Sequence, residues 1–162
     1  MPALKGNARM SDILSVVLLV VITYICFSNA FNNGFTNWDD NNYVTDNPLI
    51  KSLSFENVKK IFSTYLAGNY HPFTVLSLAI DYHFNKLDPG GFHATNIIIH
   101  ILNVVLVFFF IRLLSGKSIT AFITALLFGI HPMHVESVAW VAERKDVLYV
   151  FFYVSSLYIY VL

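Results

Sequence analysis

Between Ile13 and Ala30 the chain reads ILSVVLLVVITYICFSNA, a run without a single charge, and no other feature limits its fold so strongly. Crossing a hydrocarbon layer of about 30 Å takes a helix of about 20 mostly apolar residues. Two more runs meet that standard. Ala94 to Leu114, ATNIIIHILNVVLVFFFIRLL, is charged only at Arg112, and Val147 to Leu162, VLYVFFYVSSLYIYVL, is wholly uncharged. Ile119 to Ile130, ITAFITALLFGI, is shorter. Extended from Gly116 to His131 it covers about 24 Å at 1.5 Å per residue, which makes it a short span that turns at Pro132. The first run exceeds the usual apolar length of a signal peptide and further spans follow it, so it reads as an uncleaved anchor.

Composition agrees. Apolar residues make up 56% of the 162, charged residues 12%, and ten basic residues balance ten acidic ones. That balance excludes a disordered tail and a basic nucleic-acid binder. Cys26 is the one cysteine, which excludes an intrachain disulfide framework and any multi-cysteine metal site. The expected fold is an all-α integral membrane bundle with about four spans, at 13–31, 93–114, 117–131 and 147–162. Residues 32–92 then form a large extracytoplasmic loop containing short helices, and 132–146 a second outer segment. Lys5, Arg9, Arg112 and Lys117 outvote Arg144 and Lys145 in the positive-inside count, which puts the N-terminus in the cytoplasm and the bundle in the cell (inner) membrane.

The large loop opens on an asparagine-rich run suited to turns. Leu53 to Leu66 alternates apolar and basic residues at helical spacing. Pro72 to Leu87 reads as a second helix, closed by Asp88-Pro-Gly-Gly and laid against the bilayer or the bundle.

Three groups of residues have the makings of chemistry. His93, Asn96, His100 and Asn103 fall on one face of the second span, where polar residues point at other helices or at a wet cavity. Interhelical hydrogen bonding and a direct substrate role both fit, with His93 best placed for the latter. Asp39 and Asp40, in WDDNNY, are adjacent carboxylates whose repulsion favours a general base if the site is partly desolvated. The third group is HPMHVESVAWVAERKDVL. His131, His134 and Glu136 resemble a metal set, but Pro132 interrupts the helix and the spacing of a helical zinc motif is missing, so no metal or other cofactor is assigned. Were Val135 to Ala142 helical, Glu136, Trp140 and Glu143 would share a face. Arg144 and Lys145 stand at the head of the last span, where they can grip a phosphate or pair with Glu143 and Asp146.

Four stretches, WDDNNYVTDNPLI, NYHPFTVLSLAIDYHF, LDPGGFHATNIIIHILN and HPMHVESVAWVAERKDVL, resemble in order and spacing the N-terminal membrane region of a glycosyltransferase family. These are the tetratricopeptide-containing transferases of the GT-C fold, bacterial and archaeal relatives of the eukaryotic transmembrane-and-TPR O-mannosyltransferases. The resemblance implies a partial GT-C-like bundle, a polyprenyl-phosphate-linked sugar as donor and a protein or glycan hydroxyl as acceptor. It implies that Asp39 and Asp40 fall on the catalytic acidic pair and that one of them is the base, for which Asp40 is the expected choice. It also places His131, His134, Glu136, Arg144 and Asp146 on the second outer motif, where phosphate or acceptor contacts belong. Further spans and a TPR array normally follow, so an incomplete domain is expected here, its fourth span cut short. The expected function is therefore sugar transfer at the outer face of the membrane. The alternative is a non-catalytic membrane scaffold of the same family, and a transporter fits less well because no charge sits at the midplane of the spans.

Overall fold

A computed structural model describes residues 6–162, with side chains from Met10 onward, so Lys5, used in the orientation count, lies outside the described residues. Every element is helical. The helices are α1 (Gly6–Phe27), α2 (Phe55–Ile61), α3 (Pro72–Asn85), α4 (Pro89–Ser115), α5 (Ser118–Gly129), α6 (His134–Ala139) and α7 (Arg144–Val161), and no β-strand forms among the described residues. Single helical turns at Ser28–Asn32, Asn41–Thr45, Pro48–Lys51 and Val141–Glu143 stitch the connections.

α4 is the central post, packing against α1, α5 and α7. It starts four residues ahead of the expected span because Asp88, rather than closing the preceding helix, caps this one, its carboxylate accepting from Gly90 N at 3.2 Å with Pro89 in the first turn. Its other end is closed by Gly116 in the left-handed region (φ 66°), which turns the chain directly into α5. Beside this turn, Arg112 pairs with Asp12 of α1 at 3.1 Å, and Ser118 donates to the same carboxylate. Leu19, Val104, Phe108, Ala121 and Ala125 fill the space between these helices.

The outward faces are apolar. Ile13, Leu14, Val17, Val21 and Ile25 on α1, Ile98, Leu102, Phe109 and Leu113 on α4, and Ile119, Ile123 and Leu127 on α5 are all exposed. A surface of this kind belongs in lipid, since soluble proteins do not carry apolar patches of that extent. Two stretches, Met10–Asn32 and Pro89–Ser115, are long and apolar enough to cross a membrane. α5 has 12 residues, and α7 has 18 but spends its first turn on Arg144, Lys145 and Asp146.

The far end of α4 carries a packed cap. Tyr43, Val44, Ile50, Ile61, Val75, Leu78, Phe92 and Val141 form a buried apolar core of its own. Asn57 ties this cap locally, donating to Leu49 O at 2.6 Å. Three expectations change here. The helix expected from Leu53 to Leu66 is confined to Phe55–Ile61. α3 ends at Asn85, with Lys86 at φ 56°. α6 stops at Ala139 because Trp140 is extended (φ −104°, ψ 124°), so Glu136, Trp140 and Glu143 do not share a helical face.

Candidate active site at the capped end of the bundle

The two adjacent aspartates are separated by their surroundings. Asp40 is buried, and its carboxylate accepts from Thr36 N at 2.8 Å, from Thr36 Oγ1 at 3.3 Å and from Ala142 N at 2.8 Å. It joins the acidic loop to the turn just ahead of α7. Asp39 is half-buried and has neither a hydrogen-bond partner nor an ion-pair partner among the described residues. Successive side chains on a helical turn diverge, so one carboxylate faces the protein and the other does not. Trp38 stands exposed beside the pair, its ring 5.7 Å from that of Trp140.

Arg144 and Lys145 split in the same way. Arg144 is fully buried. Its guanidinium lies 2.6 Å from Asp81 Oδ2, and it donates to Asn96 Oδ1 at 2.7 Å, to Phe92 O at 2.9 Å and to Ser77 Oγ at 3.4 Å. Asp81 in turn accepts from Thr95 Oγ1 at 2.7 Å. Four of the five N–H donors of Arg144 are taken by protein partners in this fully buried position, where it knots α3, α4 and α7 together rather than facing a phosphate. Burial pushes the Asp81 carboxyl above the ordinary carboxylate range, while Arg144 and Thr95 pull the other way. Lys145 is the outward-facing cation. It is half-buried, bonded to Glu143 at 2.7 Å and set 6.0 Å from the Tyr43 ring. Burial works to lower its pKa, but Glu143, Tyr43 and Asp146 together outweigh that and the net direction is upward, so Lys145 stays charged.

Lys145 and Asp146 border a cavity of about 380 Å³ between the first turn of α3 and α7. His71, just ahead of α3, and Thr74 within it line one side, and Tyr149 and Phe152 continue it along α7. The lining is polar at one end and aromatic along its length, which suits an amphiphile with a charged head.

The remaining candidates lie around this core. Of the polar stripe, all four members are buried. Asn96 donates to Trp140 O at 3.1 Å, His100 Nε2 meets Gly129 O at 2.9 Å, and Asn103 donates to Val147 O at 2.9 Å. Three of the four are thus interhelical ties. His93 has no hydrogen-bond partner at either ring nitrogen among the described residues, and it follows Phe92, whose ring touches Phe35 of the acidic loop at 5.4 Å. Tyr43 Oη and Trp140 Nε1 are likewise buried and unpaired. Such groups are scarce in folded proteins, and three of them flank the acidic loop. His134 is half-buried among Phe128, His100 and His131, and burial, helped by His131, lowers its pKa. His131 and Glu136 are exposed, and Asp146 accepts from Ser137 at 3.0 Å. Among the described residues no three His, Cys, Asp or Glu side chains gather closely enough to hold a metal.

Sequence reasoning missed Asp81 and Thr95. Asp81 sat inside an apparently ordinary surface helix, and the available signal was an acid on the face of α3 that also carries Val75 and Leu78.

No protein-family model and no solved structure matches the chain. Curated relatives do. The protein O-mannosyl-transferase TMTC3 of Mus musculus is 29% identical over 163 residues, covering 94% of this chain and 17% of the relative. TMTC4 of Homo sapiens is 29% identical over 160 residues, 83% of this chain and 21% of its own length. The protein O-mannosyl-transferase F38B6.6 of Caenorhabditis elegans is 25% identical over 97% of this chain and 24% of its own length. The chain spans about a fifth of the length of these relatives, and cap and bundle alike are similar to proteins named as protein O-mannosyl-transferases.

Proposed function

We propose that this chain forms part of a membrane glycosyltransferase of GT-C type. It transfers a sugar, mannose by its relatives' names, from a polyprenyl-phosphate donor to a hydroxyl on a protein or glycan. In this reading α1, α4, α5 and α7 are the four spans, the cap lies on the outer face of the inner membrane, and the N-terminus is cytoplasmic. The observation that carries the reading is the division of labour between the adjacent aspartates. Asp40 is locked to Ala142 N and Thr36, while Asp39 is left unpaired beside two tryptophans.

Asp39, in place of the Asp40 expected from the sequence, then accepts the proton of the acceptor hydroxyl as that oxygen attacks the anomeric carbon, because Asp40 is taken up by Thr36 and Ala142 N. The bond from that carbon to the phosphate oxygen breaks, and the polyprenyl phosphate departs with its electron pair. Lys145, at the polar end of the 380 Å³ cavity, stabilises the phosphate's charge as a point cation. Asp146 borders the same cavity, while the exposed His131 and Glu136 are left for acceptor contacts and His134 and His93 for shaping the pocket. Arg144 acts at one remove, holding the turn that receives Asp40.

The test is sugar transfer by the full protein in liposomes, with a polyprenyl-phosphate-linked mannose and a serine- and threonine-containing peptide. General bases contribute about 10²- to 10⁴-fold, so Asp39→Asn lowers turnover by at least about 10²-fold at unchanged protein level. Wild-type turnover by Asp39→Asn would remove the proposed base.

A further inference from the structure

We infer that the hairpin joining α2 to α3 is a membrane-dipping anchor whose aromatic face rests in the lipid leaflet on the cap side. The depth follows from α7. Arg144 marks the level where α7 leaves the cap, since its guanidinium reaches Phe92 O and Asn96 near the cap end of α4. Phe152 lies eight residues further on, about 12 Å along the helix. Phe73, in the first turn of α3, packs on Phe152 with ring centroids 5.7 Å apart, and Phe62 packs on Phe73 at 5.4 Å. The hairpin therefore stands beside the apolar length of α7 and not above it.

What it presents at that depth is aromatic. Tyr65 is 71% exposed, Phe73 58% and Tyr70 49%, values like the 66% and 51% of Tyr149 and Phe152 on the adjoining face of α7. The surface continues up α3 through Ile80 and Phe84, both exposed on the same helical face as Phe73. Tyrosine-rich girdles of this kind mark the boundary of hydrocarbon and headgroups.

Part of the hairpin's backbone is satisfied within the protein, as lipid asks of a non-helical segment. Leu66 and Asn69 exchange both of their backbone hydrogen bonds at 2.9 Å, closing a turn through Ala67 (φ 48°) and Gly68 (φ 80°). Tyr70 Oη donates to Phe62 O at 2.9 Å. Lys59 and Lys60 are exposed in the last turn of α2, next to Phe62, with stems long enough to carry their ammonium groups back to lipid phosphates. Continuity with the exposed face of α7 and these flanking cations name the occupant as lipid. This inference rests on membrane association; it shares Tyr70, Phe73 and Phe152 with the cavity assigned to the donor, and its test reads depth in lipid rather than sugar transfer.

Nitroxide labels test it in the full chain, on a Cys26→Ser background, in vesicles of phosphatidylcholine and phosphatidylglycerol. Labels are placed at Tyr65→Cys, Tyr70→Cys and Phe84→Cys, with Asn42→Cys as the aqueous reference and Phe152→Cys as the lipid reference. Collision with oxygen and with a water-soluble nickel chelate is then measured. The expected ratio of oxygen to nickel collisions at 65 and 70 is several-fold above that at 42 and close to that at 152. Nickel access at 65 and 70 equal to that at 42 overturns the inference, and so does suppression of both collisions, which would mean a protein partner covers the face. Unchanged helical circular dichroism in each labelled variant guards against reading a misfolded chain, and the three independent label positions keep one failed variant from deciding the outcome.

Discussion

Asp81 on α3 and Arg144 at the head of α7 lie 2.6 Å apart with both side chains withdrawn from water. Losing one partner leaves the other stranded, and the two losses differ. Arg144 cannot shed its proton, so Asp81→Ala costs about 3–5 kcal/mol at neutral pH. Asp81 can take one up. Its folded pKa already lies above the unfolded value, so in Arg144→Met the stability tied to this carboxyl is present at low pH and is lost as pH rises through the folded pKa. Thermal unfolding in detergent from pH 4.5 to 7.5 checks this. Arg144→Met is expected to gain stability toward acid relative to wild type, and Asp81→Ala is not.

The adjacent aspartates should separate in stability as they do in geometry. Asp40→Ala removes a carboxylate that binds two backbone amides, at about 1.5–3 kcal/mol for each such charge-assisted bond. Asp39→Ala has no bond to lose and should stay within about 0.5 kcal/mol of wild type. Chemical denaturation of both variants measures the difference. An equal loss in the two would mean that Asp39 has a structural partner.

Gly129 sits where α1, α4 and α5 come together. A Cβ built there lies 2.9 Å from Val104 Cγ2 and 3.0 Å from Thr23 Oγ1. Gly129→Ala is therefore overpacked and should cost about 1–3 kcal/mol. Trimming the neighbour makes room, so Val104→Ala introduced into Gly129→Ala should cost less than it does in wild type. A thermal-melt double-mutant cycle reads the coupling directly.

His134, packed against Phe128 and close to His100 and His131, has its pKa lowered by burial first and by His131 second. A depressed folded pKa means that the unfolded chain binds the proton more readily. The stability involved is present above pH 6.5 and is lost as pH falls toward the folded value. The drop in melting temperature between pH 7.5 and 5.5 should be smaller in His134→Asn than in wild type. An identical pH dependence in both would place the titrating group elsewhere.

How much of this was legible in the sequence depends on where each signal lies. Polar residues at helical spacing inside an apolar run must find partners, and Asn96, His100 and Asn103 each found one across a helix boundary. The spacing showed the face but not the partners, because backbone carbonyls at Gly129, Trp140 and Val147 have no side-chain signature. Asp39 and Asp40 were visible as a pair. Their separation into a free and an anchored carboxylate depends on Ala142, 102 positions away, whose contribution is a bare backbone N–H. Arg144 looked like a surface cation because sequence alone does not show that Asp81, from a distant helix, lies beneath it.

The bond between Asp40 and Ala142 also sets a schedule for synthesis. Its acceptor and donor are 102 residues apart in the chain. At translation rates of about 5–20 residues per second, the acidic loop is made about 5–20 s before the amide that fixes it. Once made, Asp81 too lacks Arg144, 63 residues further on, so the cap then waits with two acidic side chains uncovered. Only when α7 begins to emerge do both close, so a later helix organises a segment made well before it.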